Sequence, residues 1–428
     1  MDAGELRQAL EGHGGTAALE SLYGRRAGAV ERQRVRYCTL LDRFASAFPR
    51  AAEPRLFSTP GRTEICGNHT DHNLGRVLAA AIDLDAIAVA TPGGDGRIVI
   101  ESEGYGRQEI SVDDLAPRES ERSTTAALTR GVAARMRSLG HSVGGCVACV
   151  TSDVLKGSGL SSSASYEVLI ATILNHLFNR GGIDGQEIAL IGQFAENEYF
   201  GKPSGLMDQT TCALGGFITI DFKDPSRPEV RGVRSEFSGS GYVPVVVDTG
   251  GSHADLTDEY AAVKEEMKAV ARRLGGSVLR DTSRERVLSE LPRLRAELGD
   301  RAILRALHFF ADNDRVDRQV QALETGSYGR FLDLVRESGR SSWMLLQNCY
   351  PARAPREQGV PLALALSESL LGDDGAWRVH GGGFAGTILA FVPDAKLDAY
   401  LSGMRAVFGP GSCHALSIRS AGAVMLDL

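Results

Sequence analysis

The chain has 428 residues, which is too long for one hydrophobic core and predicts at least two subdomains. Its 43% hydrophobic and 24% charged residues are ordinary for a globular protein in water. A net charge of -7 and a pI near 5.8 argue against a nucleic-acid-binding protein. An acidic protein can still bind anions when its backbone amides supply the contacts.

The seven cysteines are scattered along the chain, and their odd number predicts free thiols in a reducing compartment. Cys146 and Cys149 form a CxxC pattern, but residues three apart in a strand point to opposite faces, which argues against metal or redox use. No signal peptide opens the sequence, and no apolar run reaches the ~18 residues that span a bilayer. These features predict a cytoplasmic protein without membrane partners.

The first fifty residues are predicted to be helical, with a break at residues 12–15. A second helix is predicted from Val30 to near Ala47, because Pro49 disfavours helical geometry at the residue before it. Neither helix carries an obvious chemical group, so both are interpreted as packing elements.

Residues 57–75 place turn formers among charged and hydrogen-bonding side chains, and they predict a loop before an apolar strand over Val77–Ala90. A polar loop of this density between apolar segments favours a site. Arg62, His69 and Asp71 offer donors and acceptors suited to sugar hydroxyls. Spacing alone leaves open a solvated loop in which Asp71 merely closes a turn.

A strand pair within Ile98–Ile110 and a helix over Ala126–Leu139 are predicted next. The glycine- and serine-rich segment Lys156–Ser165 then joins the β-prone residues Cys146–Thr151 to a helical pattern. A glycine-rich turn into a helix leaves backbone N–H groups unpaired at the positive end of the dipole, which suits phosphate. The serines are expected to cap the helix, and one hydroxyl could reach magnesium. The alternative is a plain Ser/Gly linker, and the segment is not a Walker A loop because no lysine follows the second glycine.

A further helix is predicted over Ile188–Tyr199, which carries Glu196. It is followed by a predicted loop over Gly201–Gln209 and a strand over Phe217–Phe222. Asp208 follows a Gly/Pro-rich turn and precedes an apolar stretch, so partial burial is expected. Its position fits a cap or turn residue as well as a catalytic carboxylate.

A change in composition near residue 223 predicts a domain boundary that divides the chain into residues 1–223 and 224–428. In the second part, Tyr242–Asp248 is predicted to be a strand, and residues 283–349 to be mainly helical with solvated Arg and Glu faces.

Three consecutive glycines at residues 381–383 precede a predicted strand over Thr387–Val392. Such glycines let the backbone approach a ligand or another loop closely. A plain flexible turn is the alternative.

Together these segments resemble the GHMP small-molecule kinases, most closely the members that phosphorylate galactose. Three motifs occur in the expected order, at Gly61–Gly75, Gly157–Ala164 and Gly381–Gly386. Further matches are Gly205–Gln209 and Ser252–His253 with Tyr260. The resemblance implies an α+β fold of two domains, with ATP and a sugar bound in the cleft between them.

The resemblance also implies residue roles. Asp208 would be the base near the sugar's anomeric hydroxyl, with Arg62 beside it, and Ser163 and Glu196 would ligate magnesium. The residues implied to bind the sugar are Arg62, Asn68, His69, Asp71, Gly205, Asp208 and Tyr260. The residues implied to hold the ATP phosphates through their backbone are Gly157, Ser158, Gly159, Leu160, Ser161, Ser162, Ser163 and Ala164.

One departure from the family is Asn68, which replaces a usual glutamate that contacts a distal sugar hydroxyl. Asparagine lacks the charge and can donate as well as accept, so it would tolerate an acidic sugar that glutamate would repel. The expected reaction is galactose plus ATP to galactose 1-phosphate plus ADP. Alternatives are a kinase for galacturonate, an amino sugar or arabinose, and a non-catalytic sugar and ATP sensor. Oligomeric state is not predicted.

Overall fold

The computed structural model describes residues 1–26, 28–155, 157, 159–251 and 256–428. Within these residues, helices surround two β-sheets in a mixed architecture, so the predicted α+β class is confirmed. No helix in the described part of the chain is long and apolar enough to cross a membrane.

The secondary-structure elements of the described residues are as follows. The strands are β1 (Arg55–Cys66), β2 (Arg76–Pro92), β3 (Arg97–Ser102), β4 (Gly106–Ser111), β5 (Cys146–Ser152), β6 (Phe217–Asp221), β7 (Glu229–Val233), β8 (Tyr242–Asp248), β9 (Ala376–Val379), β10 (Thr387–Pro393), β11 (Cys413–Ala415) and β12 (Val424–Met425). The helices are α1 (Ala3–Glu11), α2 (His13–Tyr23), α3 (Ala29–Ala47), α4 (Thr125–Ser138), α5 (Ser162–Phe178), α6 (Gly185–Phe194), α7 (Met207–Leu214), α8 (Thr257–Arg273), α9 (Arg284–Ser289), α10 (Leu291–Leu298), α11 (Asp300–Glu324), α12 (Tyr328–Ser341), α13 (Gly359–Leu371) and α14 (Leu397–Phe408). Two π-helical turns are Ala195–Phe200 and Ser342–Leu346.

The larger sheet of the described chain has eight strands built around the long strand β2. Its main order is β12-β1-β2-β5-β3-β4, and β6 and β7 extend it from the other half of β2. The 17 residues of β2 make this branching possible, because its first half pairs with β6 and its second half with β5. The apolar strand predicted over Val77–Ala90 is confirmed.

The two faces of this sheet are covered by different helices. Cys146 packs into a core with α4 and α5, whereas Cys149 packs into a core with α1, α2 and α3. The two cysteines therefore point to opposite faces as predicted. All seven cysteines are free and buried, which confirms the prediction of free thiols.

The predicted break over residues 12–15 is confined to Gly12, because α2 begins at His13, and the predicted end of the later helix at Ala47 is confirmed. Buried Asp85 on β2 ties the N-terminal helices to the sheet. Its carboxylate accepts from Tyr23 Oη at 2.5 Å and Arg36 Nη1 at 2.5 Å, and it pairs with Arg419 Nη1 at 3.1 Å. These contacts support the interpretation of the helices as packing elements.

The smaller sheet has four antiparallel strands in the order β11-β8-β10-β9, covered by α13 and α14. Residues of β2, β8 and β10 share a core with α11 and α12, so the two sheets pack through common helices. Strands β7 and β12 lie beyond residue 223 and join the larger sheet. The position of the predicted domain boundary stays a prediction.

The loop predicted over residues 57–75 is wrong in its first half, which is strand β1. The pairing of β1 with β2 shifts register between Pro60 and Arg62, and such a bulge accommodates turn formers within a strand. Gly61 is required there, because a Cβ at this position would lie 2.9 Å from the carbonyl oxygen of Leu160. The strand thereby carries Arg62 up to the glycine-rich segment that precedes α5.

The predicted loop over Gly201–Gln209 is wrong at its end, because helix α7 begins at Met207. Its threonines and cysteine are weak helix formers, and packing against α5 and α6 decides the conformation instead. Asp208 lies in the first turn of α7, where the positive end of the helix dipole favours a carboxylate.

Candidate active site

The Asp208 carboxylate and the Arg62 guanidinium form a bidentate pair. Arg62 Nε donates to Oδ1 at 2.8 Å and Nη2 donates to Oδ2 at 2.6 Å. Ser161 Oγ also donates to Oδ2, and Arg62 Nη1 donates to the carbonyl oxygen of Gly159. The pair thus joins β1, α7 and the glycine-rich segment before α5.

The environment of Asp208 keeps it charged. Burial raises the pKa of Asp208, but the Arg62 charge and the hydrogen bonds from Ser161 and Arg62 outweigh burial and hold the pKa below its usual range. The side chain is 22% exposed, so part of the carboxylate is within reach of a ligand. An ionised and accessible carboxylate is the state that a proton acceptor needs.

The glycine-rich segment leads into α5. Among the described residues, no side chain caps the N-terminus of this helix. Ser161 occupies the N-cap position with φ +62°, yet its hydroxyl bonds Asp208 rather than the helix. The expectation that the serines cap this helix is therefore wrong for Ser161. The backbone N–H groups of residues 162–164 have no partner within the helix and suit an anion. Ser158 lies outside the described residues.

The Glu196 carboxylate lies beside the first turn of α5. Its Oε1 accepts from Ser163 Oγ at 2.8 Å and from Lys202 Nζ at 3.0 Å. Glu196 is 1% exposed and sits in a π-helical turn after α6, so the helix predicted over Ile188–Tyr199 is regular only in its first part. Such turns are frequent at functional sites.

The oxygens of Ser163 and Glu196 fit a magnesium ion. Mg²⁺ binds oxygens at about 2.0–2.1 Å in octahedral geometry, which puts neighbouring ligands about 2.9 Å apart. The 2.8 Å between Ser163 Oγ and Glu196 Oε1 is a hydrogen-bond distance, and it requires little change to reach this spacing. No group of three or more His, Cys, Asp or Glu that could hold a metal occurs in the described chain. A site with one carboxylate and several waters is what Mg²⁺ tolerates and transition metals do not favour.

The third glycine-rich motif contacts the loop that follows β1, and helix α8, through three successive carbonyl groups. Asn68 Nδ2, His69 Nε2 and Tyr260 Oη donate to the carbonyl oxygens of residues 381, 382 and 383, at 2.6, 2.9 and 3.0 Å respectively. A Cβ at residue 383 would lie 2.2 Å from the carbonyl oxygen of Asn348, so only glycine fits. Of the two predicted roles, close approach to another loop is confirmed. Ser252 and His253 lie outside the described residues.

His69 presents an acceptor rather than a positive charge. Burial, and after it the neighbouring His72, lower the pKa of His69 to about 4. A carbonyl oxygen can only accept a hydrogen bond, so His69 Nε2 carries the proton and donates a hydrogen bond to the Gly382 carbonyl oxygen. His69 Nδ1 keeps a lone pair. Tyr260 stacks on the imidazole with 6.4 Å between ring centroids.

The Asn68 side chain is fully buried and engaged by the protein. Its Nδ2 donates to Glu64 Oε1 at 3.0 Å and to the Gly381 carbonyl oxygen. Its Oδ1 accepts from Asn348 Nδ2 at 2.7 Å. Arg378 Nη2 donates to the same Glu64 oxygen at 2.9 Å. Burial raises the pKa of Glu64, and Arg378 and Asn68 oppose this rise. Both amide hydrogens of Asn68 are thus used, and a carboxyl group lies directly against it.

Two buried side chains of α11 hold the backbone at this position. Asp312 Oδ2 accepts from the N–H groups of Gly67 and Asn68 at 3.1 and 2.9 Å, and His308 Nε2 donates to the Asn68 carbonyl oxygen at 3.0 Å. Burial opposes ionisation of Asp312, but His308 and Arg315 hold its pKa at about 2. The charged Asp312 carboxylate therefore holds the backbone of Gly67 and Asn68 in place.

Asp71 and Gly205 are brought together from distant parts of the chain. Asp71 is 27% exposed, and its Oδ1 accepts from the backbone N–H of His72 at 2.9 Å. A Cβ at Gly205 would lie 3.3 Å from Asp71 Oδ2. A side chain at position 205 would therefore crowd this carboxylate.

The residues that contact predicted site residues but were not predicted from the sequence are Glu64, Lys202, Gln209 and Asn348. Glu64 is two residues from Arg62 on β1, so the period of a strand would have placed both on one face had the strand been predicted. Lys202 and Gln209 lie within the polar segment singled out around Asp208. Nothing in the sequence marks Asn348, which reaches Asn68 only through the fold.

Comparisons with known proteins show which families this chain is similar to. Residues 42–92 match the galactokinase galactose-binding signature, and residues 127–216 match the GHMP kinase N-terminal domain. The crystal structure of Lactococcus lactis galactokinase complexed with galactose is similar with a TM-score of 0.76 at 24% identity, covering 92% of this chain and 100% of that one. Methanococcus jannaschii mevalonate kinase gives a TM-score of 0.61 at 15% identity, covering 86% and 99%.

Fold and site define an ATP-dependent phosphotransferase of the GHMP kinase class with an alcohol group as acceptor. A galactokinase from Streptomyces coelicolor is 32% identical over 383 residues, which are 88% of this chain and 94% of that protein. At this identity and coverage, the chain belongs to the galactokinase family.

Proposed function

We propose that this protein transfers the γ-phosphoryl group of ATP to the anomeric hydroxyl of galactose and releases ADP. The observation that carries the proposal is the ionised Asp208 carboxylate, held by Arg62 and Ser161 beside the uncapped end of α5. An alcohol bound at Asp208 would face phosphates bound at residues 162–164.

The low pKa of Asp208 limits how it acts. A carboxylate that Arg62 keeps ionised is too weak a base to remove a proton fully from a free alcohol. Phosphoryl transfer passes through a loose transition state in which the nucleophile bonds late, so the proton needs to move only late as well. We infer that Asp208 orients the hydroxyl and accepts its proton as the new bond forms, while Arg62 stabilises developing charge.

Ser163 and Glu196 would hold magnesium, which when bound offsets negative charge on the ATP phosphates. Lys202 contacts Glu196 Oε1 at 3.0 Å and is 58% exposed, so it can move aside when the carboxylate acquires another cationic partner. The backbone amides at the start of α5 would hold the phosphates.

Ser163→Ala should raise the Mg²⁺ concentration needed for half-maximal activity by about tenfold or more, because it removes one of the two oxygen ligands. The measurement is ADP release at saturating ATP and sugar as Mg²⁺ is varied. Ser165→Ala is the matched control, since this hydroxyl on the same helix donates to the Thr59 carbonyl at 2.9 Å and faces away from Glu196. An unchanged Mg²⁺ requirement in Ser163→Ala would count against Ser163 as a ligand.

Galactose is favoured over an acidic sugar by the surroundings of Asn68. Its amide hydrogens are already donated to Glu64 and residue 381, so it offers no free donor to a sugar carboxylate. Glu64 lies against it and is paired with Arg378, and this pair carries no net positive charge that would attract such a group. The neutral residue at position 68 therefore does not make this pocket more tolerant of a uronic acid.

The test is ADP release at fixed ATP and Mg²⁺ with galactose, galacturonate, galactosamine and arabinose. We expect galactose to give the highest kcat/KM and galacturonate to give little activity. A higher kcat/KM for galacturonate would overturn the choice of sugar but retain the kinase. Binding of sugar and ATP by calorimetry without ADP release for any sugar would favour a sensor and overturn the enzyme.

A further inference from the structure

A buried chain of three side chains lies directly behind the candidate magnesium ligands. It consists of Glu167 on α5, Gln209 on α7 and Glu196 in the π-helical turn, which are 0%, 0% and 1% exposed. Of these, only Glu196 has a role in the mechanism above. Two further buried polar side chains at this position need a physical reason, since burying such groups without function is costly.

Gln209 bridges the two carboxyl groups with a single amide nitrogen. Its Nε2 donates to Glu167 Oε2 at 3.1 Å and to Glu196 Oε2 at 2.9 Å, which uses both of its N–H groups. The other oxygen of Glu196, Oε1, faces Ser163 Oγ at 2.8 Å. One edge of the Glu196 carboxylate is therefore fixed from behind, and the opposite edge is turned toward the candidate metal site.

Glu167 forms the far end of this bridge. It forms no ion pair among the described residues, and both its Oε1 and the Gln209 Oε1 are buried without a hydrogen-bond partner. Burial raises the pKa of Glu167 well above its usual range, and the nearby Glu196 adds to this rise. The Gln209 amide lies between the two carboxyl groups and donates to both of them.

We propose that Gln209 and Glu167 are positioning residues that fix the orientation of Glu196 toward the metal–nucleotide complex. The inference rests on the proposed kinase function. Without Gln209, the only described side chains holding Glu196 would be Ser163 and the exposed Lys202, both on Oε1. Because Gln209 directly follows Asp208, α7 fixes the proton acceptor and the metal ligand together.

The test compares Gln209→Leu, which keeps the approximate volume but removes both donors, with Thr211→Val on the same helix. Thr211 is equally buried, and its hydroxyl donates only to the Met207 carbonyl at 2.7 Å. The readout is the affinity of Mn²⁺ for the protein–ADP complex, measured by electron paramagnetic resonance of free Mn²⁺. We expect Gln209→Leu to weaken Mn²⁺ binding by about tenfold or more, as is typical for groups that orient a ligand. Thr211→Val should leave it unchanged.

A second pair keeps the test decisive if Gln209→Leu does not fold. Glu167→Leu removes the anchor of Gln209 and should also weaken Mn²⁺ binding, whereas Glu167→Gln retains an oxygen that accepts from Gln209 and should preserve it. If Glu167 had only a structural role, Glu167→Leu and Glu167→Gln would bind Mn²⁺ equally well whenever their unfolding midpoints are the same.

The outcomes for this inference and for the proposed function are distinguishable, because Mn²⁺ binding needs no sugar and no turnover. Unchanged Mn²⁺ affinity in Gln209→Leu or Glu167→Leu, with a wild-type protein that binds Mn²⁺–ADP, overturns the positioning role. A wild-type protein that binds Mn²⁺–ADP but releases no ADP with any sugar overturns the proposed function alone. If the wild-type protein does not bind Mn²⁺–ADP, both are overturned.

Discussion

Asp208→Asn is expected to lower turnover by at least about 100-fold while ATP still binds, because a general base contributes roughly 10²–10⁴-fold. Asparagine keeps the shape and an oxygen for Arg62, but its amide cannot accept the proton of the attacking hydroxyl. Under the proposed function, nucleotide binding would depend instead on backbone groups at the start of α5, which the substitution does not touch. The effect should therefore fall on kcat, with the KM for ATP nearly unchanged.

The measurement is steady-state ADP release, together with binding of a fluorescent ATP analogue. Ser161→Ala is the matched comparison, since it removes one hydrogen bond from the same carboxylate and leaves the proton acceptor in place. We expect a loss under about tenfold there, in line with the modest net value of one hydrogen bond. A loss under about tenfold in Asp208→Asn would remove Asp208 from the role of base.

The parts of the fold that sequence predicted well are those with a strong local period. The helix that ends at Ala47 and the apolar strand β2 follow directly from apolar spacing and a single proline. Strand β1 and helix α7 were missed because their local sequences favour turns or weak helices. In both places, tertiary packing decided the conformation: Gly61 admits the Leu160 carbonyl, and α7 is held between neighbouring helices.

In the candidate site, too, some features could be predicted from the sequence and others could not. The resemblance named Arg62, Asp208, Ser163 and Glu196, and the structure places them in two hydrogen-bonded pairs. What sequence could not supply were the partners that hold them, because contacts between residues far apart in the chain have no local signature. The contact between Asn348 and Asn68 spans 280 positions.

The buried contact between Glu64 and Asn68 predicts that the substitution Asn68→Glu will have a large effect on stability. Asn68→Glu would place a second carboxyl group where an amide now donates to Glu64 Oε1 at 3.0 Å. It would also remove the donor to the carbonyl of residue 381. Among the described residues Glu64 has one ion pair, with Arg378, so one of two adjacent buried carboxyl groups would stay unpaired or take up a proton.

We expect Asn68→Glu to lower the free energy of unfolding by about 3–5 kcal/mol, the usual effect of an uncompensated buried charge. The expected loss is larger than that of most single substitutions. It should also disturb His69, whose contact with residue 382 depends on the same loop. Chemical denaturation at neutral pH measures the first effect, and the KM for sugar measures the second.

The decisive comparison is a double-mutant cycle with Glu64→Gln. If repulsion between carboxyl groups causes the loss, Asn68→Glu should cost much less in a Glu64→Gln background, because an amide at position 64 can donate to the new carboxylate and leaves only one buried charge. The interaction energy in the cycle should then be about 2 kcal/mol or more, within the range known for residues in direct contact. If Asn68→Glu lowers the free energy of unfolding equally in both backgrounds, residue 68 does not interact with Glu64. The argument from Glu64 against an acidic sugar would then be wrong.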